Sequence, residues 1–166
     1  MPPLNADRVA KPASPNDSPD GGGRRWYVRV VLIIVAILLA TIFGIATWIQ
    51  PYDEAGRPRT MATHTQLGVP ECNFLAWTGK PCPSCGMSTS FALLVRGDVG
   101  ASLRANWVGT LIALLWALLL PWALLSGLRG RIFFIPRGRG DLIATSIVGV
   151  FLVLMMVRWG LVLVSR

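Results

Sequence analysis

Three long runs of uncharged, mostly apolar residues dominate the hydrophobic pattern of the chain. They extend from Val30 to Gln50, from Ala105 to Leu128, and from Leu142 to about Val164, and the third contains one charge, Arg158. An α-helix rises about 1.5 Å per residue, so a helical run of about 20 residues crosses the hydrocarbon core of a bilayer. The pattern therefore predicts an all-α integral membrane protein with three transmembrane helices.

Aromatic residues and a proline indicate where these helices end. Trp26 and Tyr27 precede the first run and Trp48 lies near its end, where amphipathic rings favour the membrane–water interfaces. Pro51 then stops the helix because it lacks a backbone N–H. The run is longer than the apolar core of a signal peptide and no small-residue cleavage site follows it, so we expect a retained anchor. The predicted spans are, approximately, residues 28–49, 106–127 and 142–164.

The first 25 residues have a different composition. Five prolines and three consecutive glycines fall in this segment, and large apolar residues are almost absent. Such a segment buries too little apolar surface to offset the entropy of ordering it. The predicted organisation is a disordered cytoplasmic tail at residues 1–25 and a three-span membrane domain at residues 26–166, in which residues 51–104 form a cysteine-containing loop between the first two spans.

The overall composition supports lipid as the solvent of this chain. Hydrophobic residues make up 53% of the 166 residues and charged residues only 14%, and the mean hydropathy is +0.55, whereas a soluble domain carries more charge. The net charge of +8 would suggest nucleic acid as the partner of a soluble chain, but basic residues beside membrane spans contact anionic headgroups. We expect the lipid bilayer as a partner and no nucleic acid, and leave open other membrane proteins and self-association.

The basic residues also predict the orientation. The seven arginines that precede the first span or lie between the second and third are Arg24, Arg25, Arg29, Arg129, Arg131, Arg137 and Arg139. Segments rich in Lys and Arg beside spans remain in the cytoplasm. The N-terminus is therefore predicted to be cytoplasmic and the loop 51–104 extracytoplasmic.

All three cysteines, Cys72, Cys82 and Cys85, lie in the loop 51–104 together with the only histidine, His64. One nitrogen and three sulfurs form a permitted tetrahedral ligand set, so these residues are candidate ligands of zinc or another soft metal. The segment between Cys72 and the other two is short and contains turn-forming residues, so we expect the three cysteines to lie close together. An extracytoplasmic location disfavours three free thiols. A disulfide would leave one thiol over, whereas a metal site would use all three.

The Cys82-x-x-Cys85 spacing also permits thiol–disulfide exchange. A helix is predicted to begin at Ser84 or Cys85, because the apolar residues that follow recur with a period near 3.6, and a helix N-terminus stabilises a thiolate. The sequence shows neither a thioredoxin-like alternation of strands and helices nor a neighbouring general base. Cys82 and Cys85 are thus the candidate redox residues, and no other residue is assigned a catalytic or cofactor-binding role.

Two further features of the pattern lead to predictions. Asp98 is positioned to cap a short helix that ends at Arg104. The short helices of the loop are expected at the membrane interface or partly re-entrant, because they cannot cross the bilayer. Arg158 lies about two turns from the end of the third run. We expect it to extend its guanidinium outward past Trp159, with a loop acid such as Asp98 or Glu71 as a partner.

The cysteine loop resembles an uncharacterised bacterial membrane-protein family, the domain-of-unknown-function family 2752. The pattern of that family is similar to Cys72 and Phe74, then to residues 78–88 with their Cys-Pro-x-Cys-Gly core, then to Gly97, Asp98 and Asn106. The chain departs from it at Ser88, where the family usually has Thr, and at Thr89-Ser90 in place of Arg-Ala. The resemblance implies a multi-pass protein of a bacterial inner (cytoplasmic) membrane and supplies no activity.

The function predicted from the sequence is that of a small multi-pass membrane protein that acts as a structural or interaction module. Its extracytoplasmic cysteine loop would be stabilised by a disulfide or by a metal ion. The alternative is a membrane thiol–disulfide oxidoreductase that uses Cys82 and Cys85.

Overall fold

The computed structural model describes residues 20–130 and 140–164. They form five α-helices: α1 (Asp20–Trp48), α2 (Asn73–Thr78), α3 (Met87–Val95), α4 (Val99–Arg129) and α5 (Gly140–Val164). A 3-10 helix, Thr63–Leu67, precedes α2. Within the described ranges the only β pairing is an isolated bridge between Tyr52 and Pro58. The predicted all-α fold class is confirmed.

Three of these helices are long and apolar enough to cross a membrane, namely Trp26–Trp48 within α1, Val99–Arg129 and Gly140–Val164. The short helices α2 and α3 lie between the first and second of them, as the sequence predicts. The chain is therefore a multi-pass membrane protein. The start of the first helix differs from the prediction, because α1 begins at Asp20, inside the predicted disordered tail. Backbone hydrogen bonding propagates the helix past the N-terminal end of the apolar run. The rest of that tail, and three of the seven orienting arginines, lie outside the described residues.

Helix α4 contains a break that the sequence pattern places correctly. Asp98 caps its first turn by accepting a hydrogen bond from the backbone N–H of Ala101 at 3.0 Å. The backbone then leaves helical geometry at Asn106, where φ is −160° and ψ is 99°. The short helix predicted to end at Arg104 and the span predicted to begin at residue 106 are thus the two halves of one kinked helix.

Helix α3 packs between α1 and α4. The ring of Phe91 in α3 stands edge-on to Trp116 of α4, with centroids 5.6 Å apart, and is tilted against Phe43 of α1 at 6.0 Å. Small residues, including Ala46 and Ala113, complete this core. Such residues let transmembrane helices approach closely, so the short helix is enclosed by the first two spans.

Side-chain hydrogen bonds attach the loop to this core. Arg96 donates to the carbonyls of Ala46 at 3.2 Å and Thr47 at 3.0 Å, which are among the last carbonyls of α1 and have no partner within that helix. The buried Thr63 hydroxyl lies 3.0 Å from that of Thr89 in α3. The loop is therefore held against the ends of the spans instead of extending away from the membrane domain.

Candidate metal centre

The turn that carries Cys82 and Cys85 precedes α3 and is not part of it. The N–H of Cys85 donates to the Cys82 carbonyl at 3.1 Å, and the N–H of Met87 donates to the Ser84 carbonyl at 3.0 Å. Gly86 then adopts a φ of +83°, a conformation that favours glycine. Helix α3 consequently begins at Met87, two to three residues later than predicted, because this left-handed residue interrupts the helical backbone.

The fold brings all three sulfur atoms together. The Sγ atoms of Cys72, Cys82 and Cys85 lie within 4.8 Å of one another, and those of Cys82 and Cys85 are 3.1 Å apart. Cys72 directly precedes α2, and the left-handed backbone of Gly79, the C-cap of that helix, reverses the chain toward the turn. Each cysteine is half-buried and none forms a disulfide. The expected proximity of Cys72 to the other two is confirmed.

His64 lies nearby and does not join the group. It lines the same cavity as the cysteines, but it is not among the residues whose ligand atoms lie within 4.8 Å of one another. Its role as a fourth ligand stays a prediction. We refer to Cys72, Cys82 and Cys85 as the three-cysteine cluster.

Side chains from two spans hold the backbone of the cysteine turn. Trp159 of α5 donates its Nε1–H to the Pro81 carbonyl at 2.9 Å, and Arg158 donates to the Pro83 carbonyl at 3.4 Å. Asn106, at the kink of α4, donates its amide N–H to the Cys85 carbonyl at 3.2 Å. Three successive parts of the turn are therefore fixed to the membrane domain, and the thiols keep a defined position relative to the spans.

The partner of Arg158 differs from the prediction. Its second bond goes to the Ala105 carbonyl at 2.9 Å, so the guanidinium contacts backbone carbonyls and not the loop acids Asp98 or Glu71. A carbonyl freed at a helix kink gives no signal in the sequence. The sequence nevertheless contained one indication that Arg158 contacts the protein, because a charged residue inside an apolar span usually faces protein.

Asn106 explains why the Ala105 carbonyl is available. Its Oδ1 accepts the N–H of Gly109 at 3.0 Å, which is how an N-cap residue satisfies the third N–H of the helix that follows. The second half of α4 thus has its own cap in the middle of the helix. The Ala105 carbonyl, no longer aligned with the helix axis, can accept from Arg158.

The environment of the turn gives the two neighbouring thiols, Cys82 and Cys85, different pKa values. Burial opposes ionisation of Cys82, but hydrogen bonds from Ser84, Cys85 and Cys72 outweigh it and lower its pKa to about 7. Burial, together with the bond to Cys82, raises the pKa of Cys85 to about 12. Because the Arg158 guanidinium donates to the Pro83 carbonyl within this turn, a negative charge on the cluster would have a cation nearby.

A cavity of about 590 Å³ adjoins the cluster. Most of its wall is apolar, and α1, α3 and α4 contribute Ile45, Phe91 and Trp116 to it. The polar groups of its lining belong mainly to the loop, and they include the three cysteines, His64 and Glu71. The three cysteines therefore border a largely apolar cavity.

Comparison with known proteins identifies the segment that holds these features. Residues 72–120 match the family model described as "Protein of unknown function (DUF2752)". No curated protein and no solved structure matches the chain. The matched residues include the three-cysteine cluster, the turn, α3 and the kinked first half of α4, which confirms the resemblance drawn from the sequence. Residues 72–120 are therefore similar to the DUF2752 family of proteins of unknown function.

Proposed function

We propose that this chain is a membrane-embedded structural or interaction module whose loop is stabilised by one soft metal ion, zinc in the first instance, bound by the three-cysteine cluster. The observation that supports this is the mutual proximity of the sulfur atoms within 4.8 Å. Thiolates bound to tetrahedral zinc at about 2.3 Å are about 3.8 Å apart. The cluster reaches that spacing with a small widening of the Cys82–Cys85 pair from 3.1 Å.

The charge balance also favours a metal. Three thiolates and a divalent ion carry a net charge of −1, and the Arg158 guanidinium donates to the Pro83 carbonyl within the cysteine turn. The ion would connect the start of α2 to the turn before α3, which the spans already fix through Trp159 and Asn106. Because all three cysteines line the cavity, the fourth coordination position would open toward it, and His64 or an external ligand could occupy that position.

The location that we propose is a bacterial inner membrane, with the N-terminus in the cytoplasm and the cysteine loop on the other side. The arginine distribution supports this orientation. A loop in an oxidising compartment would need its thiols protected, and a bound metal provides that protection.

The test is metal analysis combined with thiol counting on the full chain purified in detergent. We expect about one zinc ion per chain and no thiol that reacts before a chelator is added. Cobalt(II) substitution should produce thiolate-to-metal charge-transfer absorption in the wild-type protein but much less in Cys72→Ser. One reactive thiol without metal would contradict the proposal in favour of a disulfide, and three reactive thiols would leave the loop a packing element.

The second candidate function is thiol–disulfide exchange, which the 3.1 Å separation of the Cys82 and Cys85 sulfurs favours. The Cys82 thiolate would attack the disulfide of a partner protein and release one of its thiolates. Cys85 would then attack the mixed disulfide, so that the partner is reduced and the pair oxidised. Cys85→Ser would trap the mixed disulfide, visible as a reductant-sensitive adduct that Cys82→Ser does not form. Absence of such an adduct would contradict this candidate.

A further inference from the structure

The cavity beside the cluster is lined by two chemically different groups of residues. One group consists of the thiols, His64 and Glu71, and the other consists of apolar side chains that include isoleucines of α1 and Trp116. Its volume of about 590 Å³ falls within the range of about 300–1,000 Å³ that is usual for small-molecule sites. A lining of this kind suits a ligand that has an apolar body and a small polar head.

The apolar lining residues extend along the membrane spans. Ile42 and Ile45 belong to the last two turns of α1, within the candidate span Trp26–Trp48. Trp116 follows Asn106 by ten residues in α4, which corresponds to about 15 Å along the helix axis. The lining residues therefore extend from the cysteine turn to positions within two of the candidate spans.

We propose that the cavity binds a single-chain amphipathic molecule from the bilayer, with its chain along α1 and Trp116 and its head at the three-cysteine cluster. The volume suits one chain. A head with a neutral nitrogen or sulfur lone pair fits best, because three thiolates and the Glu71 carboxylate disfavour an anion there. The part of the inference that concerns the head rests on the proposed function, since this lone pair would fill the fourth position of the metal.

A homologous pair of probes tests the inference. The full chain, loaded with cobalt(II) in detergent, is titrated with 1-methylimidazole and with 1-octylimidazole while the cobalt absorption bands are recorded. Both offer the same nitrogen ligand, and only the second carries a chain. Because each buried methylene contributes about 0.8 kcal/mol, we expect the octyl compound to bind at least about tenfold more tightly after correction for its partition into micelles.

A matched pair of variants tests whether the octyl chain of the probe occupies the cavity. Ile45 lines the cavity and is 41% exposed, so Ile45→Phe should fill part of the cavity without disturbing the core. Ile37 is an equally apolar exposed residue of α1, 59% accessible and outside the cavity lining. We expect Ile45→Phe to remove most of the octyl advantage, while Ile37→Phe keeps it and both variants bind cobalt normally.

The outcomes separate the two proposals. Equal affinities for both probes, or an octyl advantage that Ile45→Phe leaves intact, would overturn the cavity proposal while the metal site stands. If cobalt does not bind, the metal proposal fails and the cavity is tested on metal-free protein by fluorescence. A saturable change on adding 1-octylimidazole, absent in Trp116→Phe, would support the cavity, and a change that only follows micelle composition would overturn it.

Discussion

The guanidinium of Arg158 in the third span donates a hydrogen bond to the carbonyl of Ala105, at the kink of the second span, over 2.9 Å. The same side chain reaches the Pro83 carbonyl in the cysteine turn. A single cation thus connects two spans and the candidate site, although α5 contributes few other contacts to the described part of the fold. The predictions that follow concern this connection and the site it supports.

Replacement of Arg158 should weaken both folding and metal binding. Arg158→Leu removes the donor to two carbonyls and the cation beside the thiolates, and hydrogen bonds to charged groups contribute about 1.5–3 kcal/mol. We expect the cobalt(II) affinity to fall about tenfold or more, with Arg158→Lys intermediate because it keeps the charge but not the planar geometry. Arg104→Leu is the control, since Arg104 is exposed. An unchanged affinity in Arg158→Leu would remove this residue from the site.

Asn106 should contribute more to stability than its position in an apolar span indicates. Asn106→Ala deletes the cap of the second half of α4 and the donor to the Cys85 carbonyl, for an expected loss of about 2 kcal/mol in the free energy of unfolding. Ser126→Ala is the matched control, because the buried Ser126 hydroxyl has no hydrogen-bond partner within residues 20–130 and 140–164. SDS titration monitored by circular dichroism measures both. Equal losses in the two variants would contradict the capping role.

Gly86 should not tolerate a side chain. A Cβ atom there would lie 2.7 Å from the Ala105 carbonyl oxygen and 2.8 Å from that of Thr60, both backbone atoms, and φ is +83°. Gly79 has a similar φ of +65° but open space around it, so Gly79→Ala isolates the conformational cost of about 1–2 kcal/mol. We expect a much lower melting temperature for Gly86→Ala than for Gly79→Ala. Similar melting temperatures would show that the close approach is not maintained in solution.

The two paired thiols should differ in their pH dependence in reduced, metal-free protein. The pKa of Cys82 is lowered to about 7, so its thiolate, and with it the rate of alkylation by iodoacetamide, should reach half of its maximum near that pH. The pKa of Cys85 is raised to about 12, so Cys85 should remain unreactive throughout the neutral range. Mass spectrometry of the labelled peptides of the unsubstituted chain measures each rate. Equal rates at neutral pH would contradict this assignment.

The proposed orientation can be tested with an impermeant thiol reagent on intact cells. Ala55→Cys, in the exposed turn at Asp53–Arg57, should be labelled from outside, whereas Gly138→Cys should be labelled only after the cells are permeabilised. The unsubstituted chain provides the background from its own cysteines. The reverse pattern would place the cysteine loop in the cytoplasm and would remove the argument that its thiols need protection.

The sequence by itself determined the helical fold class, the three candidate membrane helices and the resemblance of residues 72–120 to a family of unknown function, because each depends on residues that are near one another in the chain. A run of apolar residues is read as a helix in lipid since its backbone must satisfy its own hydrogen bonds there. Asp98 as a cap and Asn106 as the start of a new helical segment were likewise local signals. The expected closeness of the three cysteines followed from the short segment between them.

Only the tertiary structure decided which groups meet the cysteine turn. Arg158 and Trp159 lie 75 and 78 residues beyond the carbonyls of Pro83 and Pro81 that they contact, and backbone carbonyls leave no trace in residue type. The close approach of Gly86 to the Ala105 carbonyl, which leaves no room for a side chain, likewise joins distant segments. The cavity between the loop and the spans arose in the same way. These features come from the packing of distant segments, which local periodicity does not encode.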